Sequence, residues 1–270
     1  MRIAKSRGTK IVWHGNNLLP HEIDKRGLVD RFMQSFSGLV DAFIGSSQSS
    51  VDEFVERYPR LRAAETWVIP QGNYRAFYQP PNRDTEDLRS DLGIEPHHRL
   101  GLSVGMMRKY KNQLALIEAF RTVPDANARL ALVGTAPDSG YLQRLIRAAE
   151  GDSRVLIRDG YLSDQTLANW ITAADFTVLP APRSLKSGTA MLSLSFNRPV
   201  VVPHRGEFID WADDLGPDWV QTFDGGIRHS ILKEAFGRHR RSDEIAPLEK
   251  YNWDDGGRAL AECFRSMMEN

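Results

Sequence analysis

The sequence predicts an α/β fold, with parallel strands covered by helices, and three features say so. Short apolar runs alternate with longer amphipathic ones along almost the whole chain. Runs such as TVLP (177–180) and PVVVP (199–203) are apolar nearly throughout, the mark of a strand buried on both faces. Many of these runs stop at Gly or Pro, the residues that end strands and open turns.

A first lobe opens with the strand KIVWHG (10–15), into which the short basic start is expected to lead directly. A helical pattern over 24–37 leads to the strand VDAFIGS (40–46), and another over 48–58 to TWVIPQG (66–72). Residues 77–98 hold three prolines and many charges, break the alternation and read as a linker. The second lobe is more complete. Its strands are RLGLSVG (99–105), ARLALVG (128–134), RVLIRDG (154–160), DFTVLP (175–180), RPVVVP (198–203) and DWVQTF (218–223). Helical patterns fill 112–122, 139–150, 163–173, 188–196 and 227–238 between and after them. Ser163 is a good N-cap for the third of these, with Asp164 in its first turn. Asp254 and Asp255 place carboxylates at the positive end of a last helix over 254–268. The expected division is a lobe over 1–80, a linker over 81–98, a lobe over 99–252 and the final helix over 253–270.

Composition excludes several classes. The 35 basic and 35 acidic side chains cancel, and no face interleaves cations with aromatics, so nucleic acid is not expected as a partner. A single cysteine, Cys263, rules out an intramolecular disulfide and a cysteine-rich metal site. No run approaches the roughly 18 apolar residues of a membrane span, and the start lacks an apolar signal core. A cytoplasmic protein is the expectation. GxSxG, GxGxxG and GxxxxGK[ST] are all absent.

Two loops at strand ends concentrate polar groups. In VGMMRKYKN, strand runs through Gly105 into a basic loop and then a helix near Asn112, so Arg108, Lys109 and Lys111 sit at a helix N-terminus. Cations there oppose the helix dipole unless an anion joins them, which reads as phosphate binding or as a solvated basic loop. In RSLKSGTAM, Ser187 can cap the next helix and Gly188 exposes a backbone N–H, with Arg183 and Lys186 supplying charge. Ligands of open α/β sheets collect at the edge both loops share. A third group follows the first strand, where His14 precedes Asn16, Asn17, His21 and Glu22. His14 can serve a phosphate, a sugar hydroxyl or a proton transfer, or be structural. Zinc has no support, because His14 and His21 lack both an HExxH frame and cysteine companions. Gly72, Asn73 and Tyr74 end the first lobe, as a plain turn or as an interdomain loop closing over substrate.

These motifs resemble the GT-B glycosyltransferases, in particular the large retaining group that uses nucleotide-diphosphate sugars. VGMMRKYKN resembles that group's diphosphate loop, which implies Arg108 and Lys111 as phosphate ligands. RVLIRDGYLSDQTLANWITAADFTVLP is similar to its GYV-D block, with Asp159 and Tyr161 where the nucleotide base packs. SGTAMLSLSFNRPVVVP is similar to the segment that closes on the diphosphate and sugar, implying roles for Lys186, Ser187, Gly188 and Thr189. IVWHGNNLLPHE resembles an acceptor-domain segment, which puts His14 at the catalytic cleft with Asn16 beside it. YNWDDGGRALAECF resembles the last helix, which crosses back onto the first lobe.

The resemblance therefore implies two Rossmann-like lobes, the N-terminal one shortened, and hexosyl transfer to a glycan or lipid-linked acceptor. The nucleotide sugar would be a UDP or GDP substrate, and neither a cofactor nor a metal is expected. A lipid-linked acceptor would bring the chain to the inner membrane surface. Two departures from the pattern matter. The glutamate pair of many retaining members falls on Ser184 and Leu192, so Glu207 and Asp210 are the nearest carboxylates, and Glu207 is the candidate to reach sugar hydroxyls. Only nine residues precede the first strand, so the chain is either a fragment or a form with reduced acceptor surface. That leaves two rivals: a non-catalytic nucleotide-sugar-binding or partner subunit of a full-length transferase, and a sugar-nucleotide epimerase on the same scaffold.

Overall fold

A computed structural model describes residues 1–19, 26–238 and 244–269. The first lobe runs α1 (Arg2–Lys5), β1 (Val12–His14), α2 (Arg26–Ser37), β2 (Ala42–Gly45), α3 (Gln48–Arg57) and β3 (Glu65–Val68). Its three strands are parallel in the order β1-β2-β3, with Trp13 beside Phe43 and Phe43 beside Thr66. Phe43, Phe54, Tyr58 and Leu61 fill its core, with the Trp13 ring 5.3 Å from that of Phe43.

After α4 (Thr85–Asp91), the second lobe alternates without a break. It runs β4 (Arg99–Val104), α5 (Gln113–Arg121), β5 (Ala128–Gly134), α6 (Ser139–Ala149), β6 (Val155–Asp159), α7 (Asp164–Ala173) and β7 (Phe176–Val178). Then come α8 (Gly188–Ser195), β8 (Val200–Pro203), α9 (Glu207–Leu215), β9 (Val220–Phe223), α10 (His229–Gly237) and α11 (Trp253–Glu269). All six strands are parallel in the order β6-β5-β4-β7-β8-β9. Chain direction across the sheet reverses between β4 and β7, so a crevice opens there at the carboxyl ends of both strands. All nine predicted strands form, trimmed at their ends, and Ser163 caps α7 by accepting from the Thr166 N–H at 3.2 Å.

Three helices were not expected. The start does not lead straight into β1: α1 precedes it, tied by Lys5 Nζ to Asp41 Oδ1 at 2.9 Å. Within the expected linker, α4 carries Glu86 and Asp87 in its first turn, where the dipole favours them. Its buried Arg89 donates to the Ala173 carbonyl at 2.8 Å and pairs with Asp175 at 3.3 Å, so this segment is docked on the second lobe. The third is α9, which starts immediately after Gly206 (φ +52°).

The lobes are joined at two places. α11 returns to the first lobe and packs Cys263 and Met267 against Ala42 and Ile44 of β2. Where the chain crosses, Trp253 covers Gly72 so closely that a Cβ there would lie 2.6 Å from the indole. The second junction is the loop after β7. It inserts Leu185, 2% exposed, into the first-lobe core among Phe43, Phe54 and Tyr58. Beside it, Glu53 of α3 accepts from the Gly206 N–H at 2.9 Å and pairs with Arg205. Among the described residues, no helix is long and apolar enough to cross a membrane.

Candidate active site

Lys111, Thr189 and the start of α8 meet at the switch point. β4 ends in Gly105 (φ +108°), where a Cβ would lie 3.4 Å from Lys111 Nζ and 3.8 Å from Thr189 Oγ1. The basic loop is held by Asn112, which takes the left-handed conformation (φ 62°) and donates to the Pro180 carbonyl at 3.3 Å. Across the crevice, Ser187 caps α8 by accepting from the Ala190 N–H at 3.2 Å. The N–H groups of Gly188 and Thr189 have no acceptor among the described residues, so two donors face the crevice. Between Lys111, Ser187 and Thr189 lies a cavity of about 20 Å³, room for about one water-sized group. Burial lowers the pKa of the half-buried Lys111, and the nearby Arg108 cation lowers it further.

Glu207 lies under this loop and does not face the crevice. It is fully buried, and its Oε1 accepts from the Ser187 N–H at 2.9 Å. The expectation that it reaches a sugar hydroxyl is therefore corrected: its carboxyl holds the cap residue in place. Burial pushes its pKa up to about 7, against the Ser187 N–H, Lys186 and Ser46, which favour the charged form. Its second oxygen is buried without a hydrogen-bond partner.

The remaining candidates separate into those at the cleft and those away from it. A cleft of about 1060 Å³ lies between the lobes, lined by Arg108, Lys109 and Tyr110 on one side and by Asn17, Leu18 and Arg57 of the first lobe on the other. His14 ends β1, partly exposed; partial burial and then the Lys186 cation hold its pKa below the usual histidine range. Asn16 is exposed two residues on, whereas His21 and Glu22 lie outside the described residues. Tyr74 reaches the start of α8, with its hydroxyl 3.3 Å from where a Gly188 Cβ would stand, and accepts from Gln71 Nε2 at 2.9 Å.

Gly72 and Asn73 are not placed to bind substrate, because both are committed to the crossover. Asn73 donates to the Tyr251 carbonyl from its N–H at 2.7 Å and from Nδ2 at 2.6 Å, and its carbonyl accepts from Trp253 Nε1 at 2.6 Å. Asp159, at the end of edge strand β6, accepts from the Ala136 N–H at 2.7 Å. Tyr161 follows it, 87% exposed. Sequence reasoning missed Arg57 and Arg205 as cleft residues and Leu185 as the plug between lobes. Nothing in a local pattern marks them, since each acquires its place from the lobe opposite.

Two Rossmann-like lobes facing each other over a cleft, with the last helix crossing back, define the GT-B fold. Residues 98–215 match the family model of the glycosyl transferases group 1, and the second lobe is a domain of that family. A GDP-mannose:glycolipid 4-beta-D-mannosyltransferase from Xanthomonas campestris pv. campestris is 28% identical over 232 residues, 83% of this chain and 59% of the relative. An alpha-monoglucosyldiacylglycerol synthase from Streptococcus pneumoniae is 30% identical over 144 residues, 51% of this chain and 32% of that one. Among solved structures, Anabaena Alr3699/HepE in complex with UDP and glucose superposes with a TM-score of 0.75 at 20% identity, covering 97% of this chain and 73% of that one. The chain thus spans about 59% of the length of the mannosyltransferase it matches.

Proposed function

We propose that the chain is a hexosyltransferase that moves a sugar from a nucleotide-diphosphate donor to a glycan or lipid-linked acceptor. The observation that carries this reading is the convergence at Gly105 of Lys111 Nζ, the Thr189 hydroxyl and the unpaired N–H groups opening α8. The bond to break joins the anomeric carbon to a phosphate oxygen, and negative charge grows on the departing diphosphate as it lengthens. Donors fixed before the reaction stabilise that charge without reorganising, which makes them the largest catalytic contribution. Lys111, Arg108, Thr189 and the Gly188 N–H fill this role, with Ser187 holding the helix end in position. With cations and a helix terminus so placed, charge neutralisation on this reading needs no metal, and activity is expected to survive a chelator.

His14 stands at the first-lobe side of the cleft. Its depressed pKa keeps the imidazole neutral near pH 7, able to accept a hydrogen bond or a proton from an acceptor hydroxyl. Tyr161 and Asp159, at the sheet edge next to the crevice, are the proposed surface for the nucleotide base. Both curated relatives have a lipid in the name of their acceptor or product, and that supports a lipid-linked acceptor and work at the inner membrane surface. Their names include both a beta and an alpha linkage, so stereochemistry is left to product analysis.

Calorimetry with UDP and GDP tests the donor site. Lys111→Ala and Arg108→Ala are each expected to weaken nucleoside-diphosphate binding by about 1–3 kcal/mol, the loss of a charged hydrogen bond. Unchanged affinity in both variants removes these residues from the site. Turnover of a nucleotide-sugar panel by the purified chain separates a transferase from a binding subunit, and release of an isomerised nucleotide sugar would identify an epimerase.

A further inference from the structure

The large cleft holds more positive charge than the diphosphate of a sugar nucleotide calls for. The chain balances 35 basic against 35 acidic residues, yet the cleft walls carry five basic side chains and one acid. The basic ones are Arg57, Arg108, Lys109, Arg183 and Arg205, and the acid is Asp138. Lys111 and the start of α8, which serve the donor on the reading above, line the small cavity instead. Arg57 belongs to the first lobe, away from that cavity.

Three of the five cations are steadied by acids: Arg57 by Asp30, Arg205 by Glu53, and Lys109 by Asp138 at 2.9 Å. Arg183 is different. It is exposed, stands on the turn closed by the Ser184 N–H donating to the Ala181 carbonyl at 3.1 Å, and has no ion-pair partner among the described residues. Leu18, Leu19, Tyr110 and Pro182 supply apolar surface to the same cleft, suited to a sugar ring or the start of a lipid chain. Gathering like charges in one cleft costs free energy that a bound anion recovers. The depressed pKa values of His14 and Lys111, each due in part to a neighbouring cation, are local signs of that cost.

We infer that the acceptor carries an oxyanion, a carboxylate or a phosphate, near the hydroxyl it offers, and that Arg183 binds this group. Arg57 and Arg205 add to the field that draws it in. The inference rests on the transferase reading and names its second substrate by chemistry.

The test titrates the chain, with and without UDP or GDP, with three matched octyl glycosides: a neutral glucoside, a glucuronide and a phosphorylated glucoside. A charged glycoside should bind about tenfold more tightly than the neutral one, as expected for a charge-assisted bond to arginine. The preference should shrink at high salt. Arg183→Gln should erase it while leaving nucleotide affinity unchanged. The better of the two charged ligands identifies the anion as carboxylate or phosphate. Equal binding of neutral and charged glycosides, failure of both charged ones to bind, or an unchanged preference in Arg183→Gln overturns the inference. Failure of the wild-type chain to bind any nucleotide would overturn the transferase reading instead, and the glycoside comparison without nucleotide would still decide this one.

Discussion

At the scale of single residues, Glu207 is a polar group used as a structural part. A carboxyl with no exposure is costly when ionised, and burial raises its pKa from 4.5 to about 7. Between these two values the folded chain holds a proton that the unfolded chain has lost. Stability should therefore fall as pH rises through this window, by up to roughly 3 kcal/mol in all, the contribution being full below the lower value. Glu207→Gln keeps an oxygen acceptor for the Ser187 N–H and cannot ionise. Urea unfolding at pH 5 and pH 8 should show the wild type losing stability between the two and the variant losing less; parallel losses would mean that Glu207 stays charged. His14 has the opposite sign. Its depressed pKa withdraws stability as pH falls below the ordinary histidine value, and a rate profile should keep its acid limb below that of a free imidazole.

At the scale of elements, the two anion-facing loops were legible because their chemistry is local. Gly105 before a basic run and Ser187-Gly188 before a small-residue helix are patterns with one mechanical meaning, a helix end offered to a ligand. The helix α9 was not legible. PHRGEFIDW reads as a loop until Gly206 takes a positive φ and turns the chain directly into the helix. The turn is tight enough that a Cβ on Gly206 would lie 2.3 Å from the Leu185 carbonyl oxygen. Gly206→Ala should accordingly destabilise the chain more than Ser187→Ala, whose lost cap costs about 1 kcal/mol. Denaturant midpoints order the two, and the reverse order would show that the turn relaxes. Likewise α4 was hidden by its prolines, and only the finished second lobe supplies the Ala173 carbonyl and Asp175 that hold Arg89. The candidates that proved structural, Gly72 and Asn73, have the turn chemistry of a binding loop. The C-terminal segment that claims them lies about 180 residues on.

At the scale of the whole molecule, the lobes are joined through the site itself. Leu185 sits in the first-lobe core only two residues before the cap of α8. Leu185→Ala is expected to cost about 2–5 kcal/mol, as for a large side chain removed from a packed core. It should also weaken nucleoside-diphosphate binding, because the loop it anchors leads directly into the donor-facing helix end. Thermal unfolding and calorimetry on one sample test both effects, and a stability loss with unchanged nucleotide affinity would separate the anchor from the site. Glu53, which holds Gly206 and Arg205 from the first lobe, belongs to the same joint.

The placement of Leu185 also bears on what happens after turnover. The segment that faces the leaving group is the one that fastens the halves together, so the two cannot be loosened independently. Parting the lobes enough to free a spent nucleotide means drawing a leucine out of a nonpolar socket into water. The barrier to opening, and with it the pace of release, is then written in the fit of one side chain remote from any reacting atom. A smaller residue there would trade a tighter hold for a faster exit.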